Sequence, residues 1–379
     1  MRPAAIRLTL TLSLSLSLIL LSTPAQAATT YVDGISDQSI PTWDGAAGWD
    51  GGFSGSYFAR LFHEAWVGSP PSHLTLARYV VQWNAIAESE EGKPEYLIRF
   101  ESWLRDIASI GLIPDLALTS YTGKYPSSPR DYQAQLRELL DRAQAIGHPI
   151  RYLEAWNEPN NQGNVSALSA ADFTNSASAT CGEDSYSCVV IAGSFEDSPD
   201  VAFYEVQYIE SLNPVPSIWG VHPYYSVQEE REAPFQNVRD HLPNRGAGEQ
   251  IWFTEISVRE CSDFNGHLVE NGELGQAQRA SWLVNTLMRN ARPEHVFYYE
   301  LLLGERRRPS CLTEGSDGAL YLPSGDGSAP DRARAAAAYI WDGGSDGGSA
   351  LWGGGSALWG FPGGAFAANA EEASLAGGA

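Results

Sequence analysis

The stretch Ile113–Asn160, IPDLALTSYTGKYPSSPRDYQAQLRELLDRAQAIGHPIRYLEAWNEPN, decides how this chain is read. Ile113–Thr119 is a short apolar run of strand length. Asp131–Ile146 carries apolar residues at helical spacing. A second run, Arg151–Asn157, follows and ends in Glu158 ahead of Pro159. Strand, helix, strand in that order predicts two parallel strands with the helix crossing outside the sheet.

The same alternation extends in both directions. Before it come candidate strands Tyr31–Asp37 and Leu76–Val81. The segment Glu95–Ile110 has Leu97, Phe100, Leu104, Ile107 and Ala108 on one helical face. After it come strands Cys188–Ala192, Ile218–His222, Gln250–Thr254 and His295–Tyr299, with a helix over Gln276–Asn290 and a closing helix over Ala333–Trp341. About eight β-α units between residues 28 and 342 predict an α/β chain folded as a single (β/α)8 TIM barrel. A doubly wound open sheet would carry a Gly-rich phosphate turn after an early strand, and none is visible.

Composition agrees with one large globular domain. The 379 residues are 43% hydrophobic and 18% charged, with a formal net charge of −22. That acidity argues against nucleic acid and anionic membrane surfaces as partners. At the N-terminus, Arg2 and Arg7 precede the apolar run Leu8–Leu21, and Ala25-Gln26-Ala27 has the small-x-small pattern of a cleavage site. Residues 1–27 therefore read as a signal peptide and the mature protein as secreted; the run is short for a membrane anchor. Export makes two disulfides the expectation for Cys181, Cys188, Cys261 and Cys311, with Cys181–Cys188 closing a small loop and Cys261–Cys311 the remaining pair; other pairings stay open. No Cys-x-x-Cys pair or His at ligand spacing points to zinc. Residues 343–379 are a Gly/Ala/Ser-rich tail with a tandem repeat holding Trp352 and Trp359. It reads as a flexible tail, ahead of a small sugar-binding appendage.

Active sites of such barrels form at the C-terminal ends of the strands. Two strands deliver carboxylates there: strand four, through Trp156-Asn157-Glu158-Pro159-Asn160, and strand seven, through Phe253-Thr254-Glu255. Glycosidic cleavage needs such a pair, one group to protonate the leaving oxygen and one to attack or activate water. Pro159 predicts an extended backbone at Glu158. The acid is expected to have a pKa raised by burial and by its neighbouring carboxylate. The bland alternative is that each Glu pairs with an Arg and only steadies a loop.

Trp156-Asn157-Glu158-Pro159-Asn160, Gly220-Val221-His222-Pro223-Tyr224 and Phe253-Thr254-Glu255 together resemble the retaining glycoside hydrolases of clan A, in the manner of family 39-like and family 5-like members. The resemblance spans Tyr31 to Trp341. It implies that Glu158 is acid/base and Glu255 nucleophile, with no metal or organic cofactor and an oligo- or polysaccharide as partner. It implies that Arg78 in strand two holds the nucleophile carboxylate; a partnership with Glu154 is the alternative. His222 and Tyr224 would bond the nucleophile or sugar, and Asn157 a sugar hydroxyl. Asp37, Gln38, Trp83 and Asn84, at the ends of the first two strands, are further contact candidates, Trp83 either stacking on a sugar or packing under a helix. Strand eight lacks the Trp usual in the clan; Tyr299 is the candidate replacement, and Glu300 is a third carboxylate nearby. Arg306-Arg307-Arg308 just beyond could meet an anionic saccharide or simply answer local acidic residues. The competing functions are a transglycosylase, a glycan-binding barrel that does not cut, and an esterase; the last lacks a Gly-x-Ser-x-Gly elbow.

Overall fold

The computed structural model describes residues 32–36, 73–161, 165–258, 261–264, 267–270, 272–299, 321–323, 330–333, 336 and 340. Eight parallel strands close into a barrel: β1 (Gly34–Ser36), β2 (Leu76–Gln82), β3 (Ile113–Thr119), β4 (Tyr152–Glu154), β5 (Val189–Glu196), β6 (Ile218–His222), β7 (Gln250–Ile256) and β8 (His295–Tyr298). Each pairs with the next in chain order, and β8 returns to β1. This is the (β/α)8 architecture that the strand–helix alternation predicts. The expected signal peptide, most of the closing helix, the tail, Asp37, Gln38, Glu300, Arg306–Arg308 and Cys311 lie outside the described residues. Among the described residues, no helix is long and apolar enough to cross a membrane.

The helices form where their ends are signalled. Helix α1 (Glu95–Ile110) stops at Gly111, whose φ of 76° is a left-handed conformation that suits glycine. Helix α2 (Pro129–Ile146) starts with Pro129 in its first turn and with the Ser128 hydroxyl accepting from the Asp131 amide at 3.1 Å. Helix α3 (Ala167–Cys181) leads directly into the Cys181–Cys188 disulfide, which ties its end to the start of β5. The helix expected over Gln276–Asn290 is present but changes pitch. It runs as α-helix over Gly272–Trp282, as π-helix over Leu283–Met288, then as α-helix again over Arg289–Ala291.

Outward-facing strand residues such as Ala77, Tyr79, Leu116, Leu153 and Phe253 pack against the helices in one continuous core. Inside the barrel, Leu76, Ile191, Ile218, Trp252 and Phe297 form a separate apolar plug. Above that plug the interior turns polar, with Ser36, Arg78, Asp115, Glu154, Ser194, His222 and Thr254 all buried. Apolar floor and polar upper layer together leave the chemistry at the strand C-terminal ends.

Two irregularities aim this polar layer. In β5, Gly193 pairs with Gly220 and Phe195 with Val221, so Ser194 is an extra residue, at φ 53°. In β7, Val296 of β8 pairs with Phe253 and Tyr298 with Ile256, so Thr254 and Glu255 share the single Phe297 opposite. Strict alternation would send Thr254 and Glu255 to opposite faces. The bulge brings both to interior partners, Thr254 to His222 and Glu255 to Arg78.

Gly220 shows how tightly this layer is packed. A Cβ there would lie 2.8 Å from Thr254 Oγ1 and 2.9 Å from Ser194 Oγ. Gly220→Ala is expected to destabilise the protein by about 1–3 kcal/mol through overpacking. Thermal unfolding followed by circular dichroism would read this as a lower Tm; an unchanged Tm would mean that the interior gives way freely.

Candidate active site

Arg78 is fully buried and stands at the centre of the polar layer. Its Nε donates to Glu154 Oε1 at 2.5 Å and its Nη2 to Glu154 Oε2 at 3.1 Å. Nη1 donates to Glu255 Oε2 at 2.5 Å and to Ser36 Oγ at 3.2 Å. Nη2 also donates to Asn157 Oδ1 at 2.6 Å. The two partners weighed for Arg78 in the sequence are thus both present. Burial alone would lower the Arg78 pKa, but Glu154 and Glu255 outweigh it and hold the group firmly charged. Burial raises the Glu154 carboxyl, yet Arg78 brings it down to about 2. Ser194 Oγ adds a hydrogen bond to Glu154 Oε2. Asp115, next to this pair, is pushed well above the usual carboxylate range by burial and by the Glu154 charge. The cluster therefore favours the charged form of Glu154 and disfavours that of Asp115.

Glu255 is nearly buried and is gripped on both oxygens, since Tyr224 Oη donates to its Oε1 at 2.6 Å. Its carboxylate is fixed in direction by the cation on one side and the phenol on the other. Tyr224 opens the short helix Tyr224–Gln228 directly after β6, which places its ring over the barrel mouth.

Glu158 differs in backbone and in surroundings. Its φ of 43° lies in the left-handed region, not in the extended conformation that Pro159 predicts. The proline disfavours the right-handed helical region for the residue before it, and the chain takes the left-handed alternative. The β4 ladder ends at Glu154, short of the expected Asn157, and the chain bends from Ala155 to Glu158. One further bond, from the Asn157 amide to the Leu118 carbonyl at 2.7 Å, keeps the bend against β3. Asn160 clamps the other side through both ends of its amide, donating to Glu196 O at 2.8 Å and accepting from Glu196 N at 3.0 Å. Strain at Glu158 persists because both flanks are held.

The Glu158 side chain meets His222 Nδ1 through Oε1 at 3.0 Å and Asn161 Nδ2 through Oε2 at 3.3 Å. The other His222 nitrogen faces Thr254 Oγ1 at 3.1 Å. His222 thus bonds Glu158, while Tyr224 bonds Glu255. Burial pushes the Glu158 carboxyl up, but the hydrogen bond and charge of His222, with help from Asn161 and Arg78, hold it below the ordinary value. This corrects the expectation of a raised acid: a specific donor outweighs desolvation here. One oxygen of Glu158, one of Glu255 and a ring nitrogen of His222 all lie within 4.8 Å of one another.

Three such groups could also be read as metal ligands. The Arg78 guanidinium lies 2.5 Å from Glu255 and 3.5 Å from His222, and a divalent cation would have to share the site with that charge. The donor set therefore fits paired carboxylate chemistry better than a cation centre.

The remaining candidates separate clearly. Asn157 is half-buried at the mouth, with its carbonyl oxygen held by Arg78, so its NH2 end is oriented as a donor. Tyr299 is half-buried just past β8, its amide bonded to the Ile256 carbonyl at 2.8 Å. Trp83 is 4% exposed and packs in the outer core, its indole N–H donating to Lys124 O at 2.8 Å. It takes the packing role of its two alternatives, because its strand parity turns it outward. Asp37 lies outside the described residues. The sequence reading missed Ser36, Asp115, Asn160, Ser194 and Thr254. Only Asn160 and Thr254 carried a signal, as members of the quoted runs Trp156–Asn160 and Phe253–Glu255.

Two outcomes test this wiring. With His222→Asn, burial is left to dominate and the Glu158 carboxyl rises. The fraction protonated at neutral pH then grows, and the alkaline limb of the kcat/KM profile moves to higher pH. An unmoved limb would show that His222 does not hold the Glu158 proton. Arg78→Met leaves Glu154 buried without its cation. It is expected to cost about 3–5 kcal/mol in chemical denaturation.

No protein-family model matches this chain, and no curated protein does so either. Solved structures do match. The endo-β1,6-glucanase BT3312 superposes with a TM-score of 0.58 at 15% identity, over 84% of this chain and 76% of its own. A GH5_18 structure from Streptomyces cattleya in complex with GlcNAc gives 0.56 at 12%, over 84% and 80%. The exo-β-1,4-mannosidase Op5Man5 from Opitutaceae bacterium strain TAV5 gives 0.54 at 13%, over 83% of this chain and 59% of its own. At these identities the likeness is one of fold: the chain has the (β/α)8 barrel seen in these glycoside hydrolase structures.

Proposed function

We propose that this protein is a secreted retaining glycoside hydrolase that cleaves O-glycosidic bonds in an oligo- or polysaccharide. The observation that carries the reading is the pair Glu158 and Glu255 at the barrel mouth, with carboxylate oxygens within 4.8 Å. Retaining enzymes need their carboxyl groups about 5–5.5 Å apart, close enough for direct attack, whereas inverting ones leave room for a water between. The different surroundings of the two groups support separate roles. Glu255, bonded to Arg78 and Tyr224, is held as an oriented anion suited to attack an anomeric carbon. Glu158, half-buried and bonded to His222, exchanges a proton with the leaving oxygen and then with water.

In the first step Glu255 forms a bond to the anomeric carbon while Glu158 protonates the departing oxygen. In the second, Glu158 takes a proton from water, which attacks the same carbon and releases Glu255. Tyr224 and Arg78 stabilise the carboxylate again as it leaves. Asn157, oriented by Arg78, offers its NH2 to a sugar hydroxyl. Neighbours of the same fold include proteins named as a β1,6-glucanase and a β-1,4-mannosidase, which favours a β-linked glycan. The Cys181–Cys188 disulfide supports an oxidising, extracellular compartment. A transglycosylase would use the same groups with a sugar acceptor in place of water.

The test is hydrolysis of a broad set of aryl glycosides and polysaccharides by the wild type, Glu158→Ala and Glu255→Ala. Both variants are expected to lose at least about 10³-fold in kcat. Added azide should rescue both, with Glu255→Ala giving an azide of inverted and Glu158→Ala one of retained configuration. Full activity in either variant would sink the two-carboxylate mechanism. Glycan binding without any cleavage by the wild type would favour the non-catalytic barrel.

A further inference from the structure

The loop after β3 brings an aromatic ring to the barrel mouth that the mechanism above does not use. Tyr121 is 47% exposed, although its hydroxyl donates to the Val80 carbonyl at 3.1 Å within the barrel wall. Its backbone amide donates to Gln82 Oε1 at 2.7 Å, and Gln82 itself is fully buried. Its ring stacks on that of Tyr96, with centroids 6.0 Å apart and planes 3° from parallel. The residue is thus rooted at its hydroxyl and backbone and backed by a second ring, while much of its surface faces solvent.

The loop around it is equally fixed. Gln82 Nε2 donates to Asn84 Oδ1 at 2.5 Å and reaches Thr122 Oγ1 at 3.4 Å. The Lys124 carbonyl accepts from both Ser120 Oγ at 2.6 Å and Trp83 Nε1 at 2.8 Å. Gly123, at φ 71°, makes the turn that this closure requires. Lys124 Nζ reaches across to Glu88 and Glu91 at 3.0 and 3.1 Å. An aromatic surface held this firmly has little ordering cost to meet when a ligand lands on it.

We infer that Tyr121, backed by Tyr96, is the platform of a sugar-binding subsite on the β2–β3 side of the barrel mouth, an assignment that rests on the glycosidase reading above. A pyranose with mainly equatorial hydroxyls presents a face of C–H groups, and such a face packs on an aromatic ring while its hydroxyls stay wet. Trp83, which the sequence offers as a stacking residue, instead braces the loop that carries Tyr121.

The test is titration calorimetry of cellotetraose, mannotetraose and xylotetraose into wild type, Tyr121→Ala, Tyr121→Phe and Tyr121→Trp, each carrying Glu158→Gln to stop turnover. Tyr121→Ala is expected to bind about tenfold more weakly, and Tyr121→Phe and Tyr121→Trp to stay within about threefold of the parent. In the cleaving enzyme the same Tyr121→Ala change should raise KM and leave kcat nearly unchanged. Equal binding by Tyr121→Ala and the parent overturns the subsite. So does a Tyr121→Phe as weak as Tyr121→Ala, because the hydroxyl anchor and not the ring would then matter. Should Tyr121→Ala fail to fold, as judged by circular dichroism, Tyr121→Leu, which keeps bulk and lacks the ring, takes its place, and binding equal to the parent overturns the subsite. Binding that depends on Tyr121 in a wild type that cuts nothing keeps the subsite and sinks the glycosidase reading. A parent that binds none of the three tetrasaccharides overturns the subsite.

Discussion

The upper barrel depends on one buried cation. Arg78 joins β2 to β4 through Glu154, to β7 through Glu255, to the bend after β4 through Asn157 and to β1 through Ser36. A guanidinium taken out of water is costly unless its donors are met, and here charged or polar oxygens meet all three nitrogens. The same bonds fix where the nucleophile candidate points and where the acid candidate's neighbour points. Structure and chemistry thus share one side chain. Glu154 answers the charge together with Glu255, so Glu255 is not the sole counter-ion.

The two mouth carboxylates show how environment divides labour between identical side chains. Glu255 receives a permanent cation and a phenol donor, neither of which changes its proton count near neutral pH. Glu158 receives a histidine, which can itself take up and release a proton. Its depressed carboxyl follows from that partner, so the protonation of Glu158 is a property of the Glu158–His222 pair. The left-handed backbone at Glu158 turns the carboxyl toward this partner and away from the β4 ladder.

The barrel itself was legible. Ile113–Thr119, Ile218–His222 and Glu95–Ile110 fall on the residues that their apolar patterns mark, because each is governed by periodicity and by clear glycine or polar stops. Arg78 was legible through the clan resemblance, which implies an Arg in strand two. The bulges were not. Thr254-Glu255 and Gly193-Ser194 look like ordinary alternating strand, and only pairing across the ladder reveals the extra residue. Glu158 misled because the rule for residues before proline names the favoured region, while flanking bonds from Asn157 and Asn160 select another. Trp83 misled for a simpler reason: an aromatic at a strand end serves a mouth or a wall equally well, and parity decides.

Those hidden irregularities are where the fold becomes a site. A regular eight-stranded barrel with strict alternation would carry Glu255 outward into the helical shell, where a carboxylate has no partner. One inserted residue in β7 turns it inward, and one in β5 places Ser194 against Glu154. Gly220 is the space into which both insertions fit, since Thr254 and Ser194 approach it from opposite neighbours. This side of the polar layer is therefore a single packed unit spanning β5, β6 and β7. Its geometry follows from backbone defects that the hydrophobic pattern neither requires nor records.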